Sequence, residues 1–193
     1  MSNSSNQAIL VRTLAVVFFI SYPFIVYFGI GFLPPSFFGL ILVVILALRF
    51  KVLLPSERML YLPVLMVFLA YAIATMIFDS NRLVLIYPAL VNFTLFLVFA
   101  GSLRTNETIL FRLVKARGLV MSDHTPRYLY RLTGVWAVFF VLNGLVSVWT
   151  STLSIDAWTL YNGLISYFIV AILGTGEWVF RYYYKKRVGA RKQ

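Results

Sequence analysis

The chain has 193 residues, of which 61% are hydrophobic and 12% charged, with no cysteine and a net charge of +11. Its mean hydropathy of +0.88 and roughly half the charge of an average soluble domain exclude a water-soluble globule, which must keep a large polar exterior. Missing thiols exclude disulfides, thiolate metal centres and cysteine nucleophiles, and cations placed at the ends of apolar runs rather than on a polar face argue against nucleic acid.

The apolar runs are continuous instead of alternating every second residue, so the pattern predicts an all-α, polytopic helical membrane protein and not a barrel. Residues 1–7 are polar. Arg12 precedes an apolar run longer than a signal-peptide core, with no small-x-small cleavage site after it, so a retained first span is expected over 14–32. Pro23 lies inside that span as a kink, which membrane helices tolerate. Leu33-Pro34-Pro35-Ser36 is an uncharged breaker. A short second span follows over 37–48, with Arg49 and Lys51 placed to snorkel to the interface. Val52–Arg58 reads as a loop around Pro55. The third span covers 59–78, Asp79-Ser80-Asn81-Arg82 makes a minimal turn, and the fourth span covers 83–103.

The long connection 104–125 contains an amphipathic stretch over 105–118. Thr105 or Asn106 suits its cap, and Glu107 suits the first turn. Ile109, Leu110, Leu113 and Val114 share one face opposite Arg112, Lys115 and Arg117, and Gly118 closes the C-terminus. Such a helix either lies in the membrane surface or packs on the inner end of the bundle. Thr125-Pro126 is a helix start, and the last two spans are expected over 128–152 and 157–184, joined by a short turn near Asp156.

Cation placement tests a six-span model. If the spans alternate, the inner segments hold Arg12, then Arg49, Lys51 and Arg58. They also hold Arg104, Arg112, Lys115, Arg117, Arg127 and Arg131, and finally Arg181, Lys185, Lys186, Arg187, Arg191 and Lys192. Only Arg82 is left outside. By the positive-inside rule, both termini are cytoplasmic.

Polar residues inside spans are costly unless paired, so they mark the places where chemistry or packing is concentrated. They are Asn92, Asn143, Asn162 and, near the inner end of the last span, Glu177. Asn143-Gly144-Leu145-Val146-Ser147 echoes Asn162-Gly163-Leu164-Ile165-Ser166. The two asparagines fall at similar depth on antiparallel neighbours, where they suit a hydrogen bond across the seam, with the glycines permitting close approach. Helix-packing glue is the plainer reading and a ligand site the sharper one. Arg181, one turn beyond Glu177, suits an ion pair more than a proton relay. His124, beside Asp123, has no second histidine or carboxylate cluster to make a metal site. Phosphate loops, nucleophile elbows, aspartate-rich helices and His-x-x-x-x-Asp pairs are missing from the sequence, and Gly174-Thr175-Gly176 reads as a small-residue packing patch. No enzyme activity and no cofactor is expected.

Several segments carry a resemblance: Arg131-Leu132-Thr133-x-x-Trp136-Ala137-x-Phe139-Phe140, then Asn143-Gly144, then Asp156-x-Trp158-x-x-Tyr161-Asn162, together with Tyr87-Pro88-Ala89-Leu90-Val91-Asn92 and Phe111-x-x-Val114-Lys115-Ala116-Arg117. These resemble a family of uncharacterised bacterial inner-membrane proteins encoded in gene clusters for aryl-polyene pigment lipids. More distantly, the Arg131–Phe140 core and Trp158 are similar to intracellular septation protein A. The chain departs from that pattern at Tyr161-Asn162-Gly163, where a Phe-Lys pair is usual. The resemblance implies an inner (plasma) membrane location and an envelope or lipid-biosynthesis setting, and it supplies no catalytic residues.

The expected function is therefore a non-enzymatic accessory or scaffold protein of envelope or lipid-linked pigment biogenesis. Arg112, Lys115, Arg117, Lys185, Lys186 and Arg187 would face membrane lipids or partner proteins, and a homo-oligomer fits the small size. The alternative is a small transporter or flippase for a lipid-like product, with the asparagines and Glu177 along its path.

Overall fold

In the computed structural model the described residues are 13, 17, 21–52, 55–116, 118 and 125–177, with side chains at all of these except 49, 52 and 55–61. All regular structure among them is helical. The helices are α1 (residues 21–29), α2 (Pro35–Val52), α3 (Pro55–Phe78), α4 (Asn81–Ser102), α5 (Ile109–Ala116) and α6 (Thr125–Thr150). The last, α7, begins with Ile155–Leu160, passes through a π turn at Tyr161–Ile165 and ends the described chain at Glu177.

Three helices, Asn81–Ser102, Thr125–Thr150 and Ile155–Glu177, are long and apolar enough to cross a membrane, whereas the apolar stretches Pro35–Leu48 and Leu62–Phe78 are shorter. The 26 residues of α6 run about 39 Å at 1.5 Å per residue. The hydrocarbon layer is about 30 Å thick.

Helix boundaries differ from the sequence reading where prolines stand. The chain breaks at residues 30–34, close to the expected breaker, but Pro35 and Pro55 are themselves helical. Each opens a helix, so α2 starts before the expected 37 and α3 before the expected 59. Proline suits the first helical position because its missing N–H would have no intrahelical acceptor there. Of the loop expected over Val52–Arg58, the described residues, Val52 and Pro55–Arg58, are helical. In the long connection, 109–116 of the expected 105–118 is helical and 105–108 is not, while Arg117 lies outside the described residues.

Close contacts fix the directions of the helices. A Cβ added at Gly39 would lie 2.7 Å from the carbonyl oxygen of Ala72, so α2 and α3 meet backbone to side at this point. Asp79, after α3, takes the left-handed conformation (φ 44). Its carboxylate accepts the N–H of Ser36 at 2.9 Å, capping the start of α2. Gly144 of α6 is pressed against Asn92 and Phe93 of α4, and Gly163 of α7 against Pro23 and Phe24 of α1. The pairs α2/α3, α4/α6, α6/α7 and α1/α7 all run antiparallel. The turns at 30–34, 79–80 and 151–154 therefore gather at one end of the molecule, and the 103–108 connection lies at the other.

On α6 burial is inverted relative to a soluble bundle. The buried face of α6 is Leu129, Thr133, Ala137, Asn143, Gly144, Ser147 and Thr150, mostly small or polar. Its exposed stripe is Val135, Val138, Leu142, Leu145 and Trp149, each more than half exposed. On α7, Leu160, Leu164, Phe168 and Ile172 make a matching outward stripe. Small residues in this seam and large apolar residues outside it are what lipid solvent selects, because hydrocarbon gives no reason to bury leucine and close backbone contact must hold the helices together.

Candidate functional site

The site is built on Pro88, in the middle of α4. Proline has no N–H for the carbonyl four residues back and its ring crowds that turn, so the Val84 carbonyl is left without its helical donor and the neighbouring carbonyls are opened to side chains. Inside a membrane a stranded carbonyl must be satisfied by another part of the protein. The Tyr22 hydroxyl donates to the Val84 carbonyl at 2.8 Å, the Trp158 indole N–H to that of Leu85 at 2.8 Å, and the Tyr71 hydroxyl to that of Leu83 at 2.5 Å. Successive carbonyls fan out by about 100° around a helix of 3.6 residues per turn, so three different helices, α1, α7 and α3, each reach one. Trp158 and Tyr22 are buried, as is Tyr87, whose ring centroid lies 4.3 Å from that of Tyr22. These residues belong to the main apolar cluster, with Val26, Phe38, Leu42, Ala72, Val84, Leu85 and Val91.

One turn further along α4 the asparagines connect. Asn92 Nδ2 donates to the Pro88 carbonyl at 2.7 Å, and Asn92 Oδ1 accepts from Asn143 Nδ2 at 2.9 Å. Asn143 Oδ1 accepts the hydroxyl of Tyr161 at 2.7 Å. Asn162 Oδ1 accepts from Ser147 Oγ at 2.7 Å, while its Nδ2 donates to Thr150 Oγ1 at 3.2 Å and to the Trp158 carbonyl at 3.0 Å. The expected bond between Asn143 and Asn162 is not formed. Asn143 turns to α4, and Asn162 meets α6 one turn on, at Ser147. The glycines likewise serve different seams, Gly144 against α4 and Gly163 against α1. The π turn supplies the geometry: Ser166 N–H bonds the Tyr161 carbonyl five residues back, and the widened turn brings both Tyr161 and Asn162 to bear on α6.

Above this network α1, α4, α6 and α7 leave a pocket of about 250 Å³. Its walls are largely aromatic, with Tyr22, Tyr87, Trp136, Phe139, Phe140 and Tyr167, and its polar floor is Asn92, Asn143, Asn162 and Ser166. Trp136 and Phe140 lie 5.7 Å apart at 32°.

Glu177 is remote from the pocket, at the other end of α7. Its Oε1 accepts from the Tyr128 hydroxyl at 3.1 Å, tying the start of α6 to the end of the described chain. The expected partner Arg181 lies outside the described residues, as do Arg117, His124, Lys185, Lys186 and Arg187.

The amphipathic helix also differs from expectation. Thr108, buried, is its cap, accepting the Phe111 N–H at 3.4 Å, and not Thr105 or Asn106. Glu107 therefore stands before the helix, where its carboxylate meets Lys115 Nζ at 2.6 Å. Arg112 folds back onto the Glu107 carbonyl at 3.1 Å and Thr105 Oγ1 at 3.4 Å. Gly118 has φ +65 and donates to the Lys115 carbonyl, closing the helix. The helix packs on α6 and α4 and leaves Leu113 about half exposed.

Of the residues singled out by sequence, the structure brings Asn92, Asn143 and Asn162 into one network and places Glu177, Arg112 and Lys115 at the far end. Tyr22 and Tyr71 escaped the sequence reading and Trp158 entered it only through the resemblance, although Pro88 inside an apolar span was a signal that some side chain must serve the Val84 carbonyl. No family model, curated protein or solved structure matches the chain.

Proposed function

We propose that this chain crosses the bacterial inner (plasma) membrane six times with both termini in the cytoplasm, and acts there as a non-enzymatic accessory protein that recruits partners to a basic cytoplasmic end. The antiparallel sequence of helices and the outward apolar stripes support this topology. The observation that carries the function is the segregation of charge between the two ends. Among the described charged side chains, Asp79, Arg82 and Asp156 lie at one end, and Lys51, Arg104, Glu107, Arg112, Lys115, Arg127, Arg131 and Glu177 at the other. Arg104, Arg127 and Arg131 are exposed and form no ion pair among the described residues, so this face attracts anionic headgroups or acidic proteins at about 1 kcal/mol per cation near the surface. Lys185, Lys186 and Arg187 extend the same end in sequence. The resemblance to proteins of pigment-lipid clusters supports partners from envelope or lipid biosynthesis.

The test is affinity capture from native membranes, comparing the parent chain with a variant neutralised at Arg104, Arg127, Arg131, Lys185, Lys186 and Arg187. Loss of co-purifying partners or anionic lipid from the variant is the expected result, and unchanged recovery overturns the reading. The pocket favours a second reading, a small transporter or flippase for a lipid-like product. Under that reading, reconstituted vesicles holding the parent chain exchange a labelled lipid between leaflets faster than empty ones.

A further inference from the structure

We propose that the pocket above the asparagine network is a binding site for a neutral, carbonyl-bearing lipophile with a planar head of quinone size, entered sideways from the hydrocarbon. The inference is independent of the docking at the basic end.

Depth argues for the route of access. Asn92 lies eleven residues from the start of α4 and ten from its end, so the polar floor sits at the middle of a span. Val170, on the rim, is 37% exposed on the outer surface of the helices. A tail therefore leaves toward lipid and not through a loop.

Chemistry argues for the head. None of the described lining residues carries a charge, so a carboxylate, phosphate or ammonium would be desolvated without a counter-ion. Donor groups in the floor are left open. An asparagine amide has two N–H groups. Asn92 uses one on Pro88, and Asn143 uses one on Asn92. The second N–H of each has no acceptor among the described residues, and the Trp136 indole N–H, among the same lining residues, has none either. The oxygens of all three asparagines already accept a bond. A ligand that accepts hydrogen bonds satisfies these N–H groups.

Shape narrows the class. The cavity of about 250 Å³ falls below the 300–1,000 Å³ of drug-sized sites, so it encloses one ring and leaves the rest of a long molecule outside. Walls of Trp136, Phe139, Phe140 and Tyr167 favour a flat π system by stacking. The π turn at Tyr161–Ile165, a feature often found at functional sites, lies in the floor.

The experiment uses the full chain in detergent, with a decyl-substituted benzoquinone as probe and saturable quenching of tryptophan emission together with thermal shift as readouts. Decylbenzene tests the need for a carbonyl, and oleate tests the exclusion of charge. Saturable quinone binding is expected, at least tenfold weaker for decylbenzene and for oleate. It should also weaken at least tenfold in Asn92→Leu, which removes a donor, and in Leu95→Phe, which fills the cavity without touching the network. If Asn92→Leu does not fold, Leu95→Phe decides alone. Quenching that never saturates, binding unchanged in Leu95→Phe, or equal affinity for decylbenzene or oleate overturns the proposal.

Discussion

At the scale of single residues, hydrogen bonds that look decisive in hydrocarbon are worth less than their setting suggests. The alternative state is also inside the membrane and finds partners of its own. Measured values for interhelical side-chain bonds average about 0.6 kcal/mol and reach about 1.7. Asn92 and Asn143 are in direct contact, so their effects should not add. Asn92→Leu and Asn143→Leu are each expected to lower stability in detergent by about 1 kcal/mol, and the double variant by less than the sum. A denaturant titration of the four proteins checks this, and strict additivity would mean the bond contributes nothing. Ser147 offers a contrast with Leu145 two positions away. Ser147 is fully buried against Asn162 and Leu145 is 55% exposed. Ser147→Leu should overpack the α6/α7 seam, at a cost of about 1–3 kcal/mol, whereas Leu145→Ile should be near neutral. Thermal unfolding in the same detergent distinguishes them.

At the scale of elements, α4 is a helix defined by its defect. Pro88 opens its hydrogen-bond ladder at the Val84 carbonyl, which Tyr22 closes, and Tyr71 and Trp158 dock on the carbonyls to either side. The prediction is a coupling. Tyr22→Phe should cost about 1 kcal/mol in the parent chain, the usual net worth of such a bond. In a Pro88→Ala background the restored N–H serves the Val84 carbonyl, so the same substitution should cost much less. A double-mutant cycle followed by chemical unfolding reads this directly, and equal costs in both backgrounds would show that the tyrosine is not replacing the missing amide. This element also shows how far sequence reaches. The proline, the carbonyl it strands and the asparagine one turn beyond are legible in the chain. Which aromatic serves that carbonyl is not, because Tyr22 and Trp158 lie 62 and 73 residues from their acceptors and local spacing says nothing of such pairs. The amphipathic helix has the same lesson on a smaller scale. Thr105, Asn106 and Thr108 all suit a cap by type, and only the packing that buries Thr108 selects one of them.

At the scale of the whole molecule, the absence of cysteine from the sequence makes topology directly measurable. Single changes Asn81→Cys and Leu153→Cys mark the turns at one end, and Asn106→Cys marks the connection at the other; all three positions are exposed. With a membrane-impermeant maleimide on intact spheroplasts, the first two should label and the third only after permeabilisation. The opposite pattern would reverse the orientation that the cations imply and would move the basic end away from cytoplasmic partners.

Sequence by itself determined that the chain is helical and apolar enough for a membrane, and it supplies the basis of the proposed orientation. Hydropathy and the placement of lysine and arginine are sums over many residues, and their energies hardly depend on which helix touches which. Tertiary structure alone decided the partners: Asn143 with Asn92 and not Asn162, Asn162 with Ser147, and an aromatic pocket between four helices. In hydrocarbon no apolar face is driven inward, so burial carries no periodic signal in composition. The seams are set by where small residues let backbones approach and where a stranded carbonyl or amide finds its complement, and both depend on three-dimensional proximity.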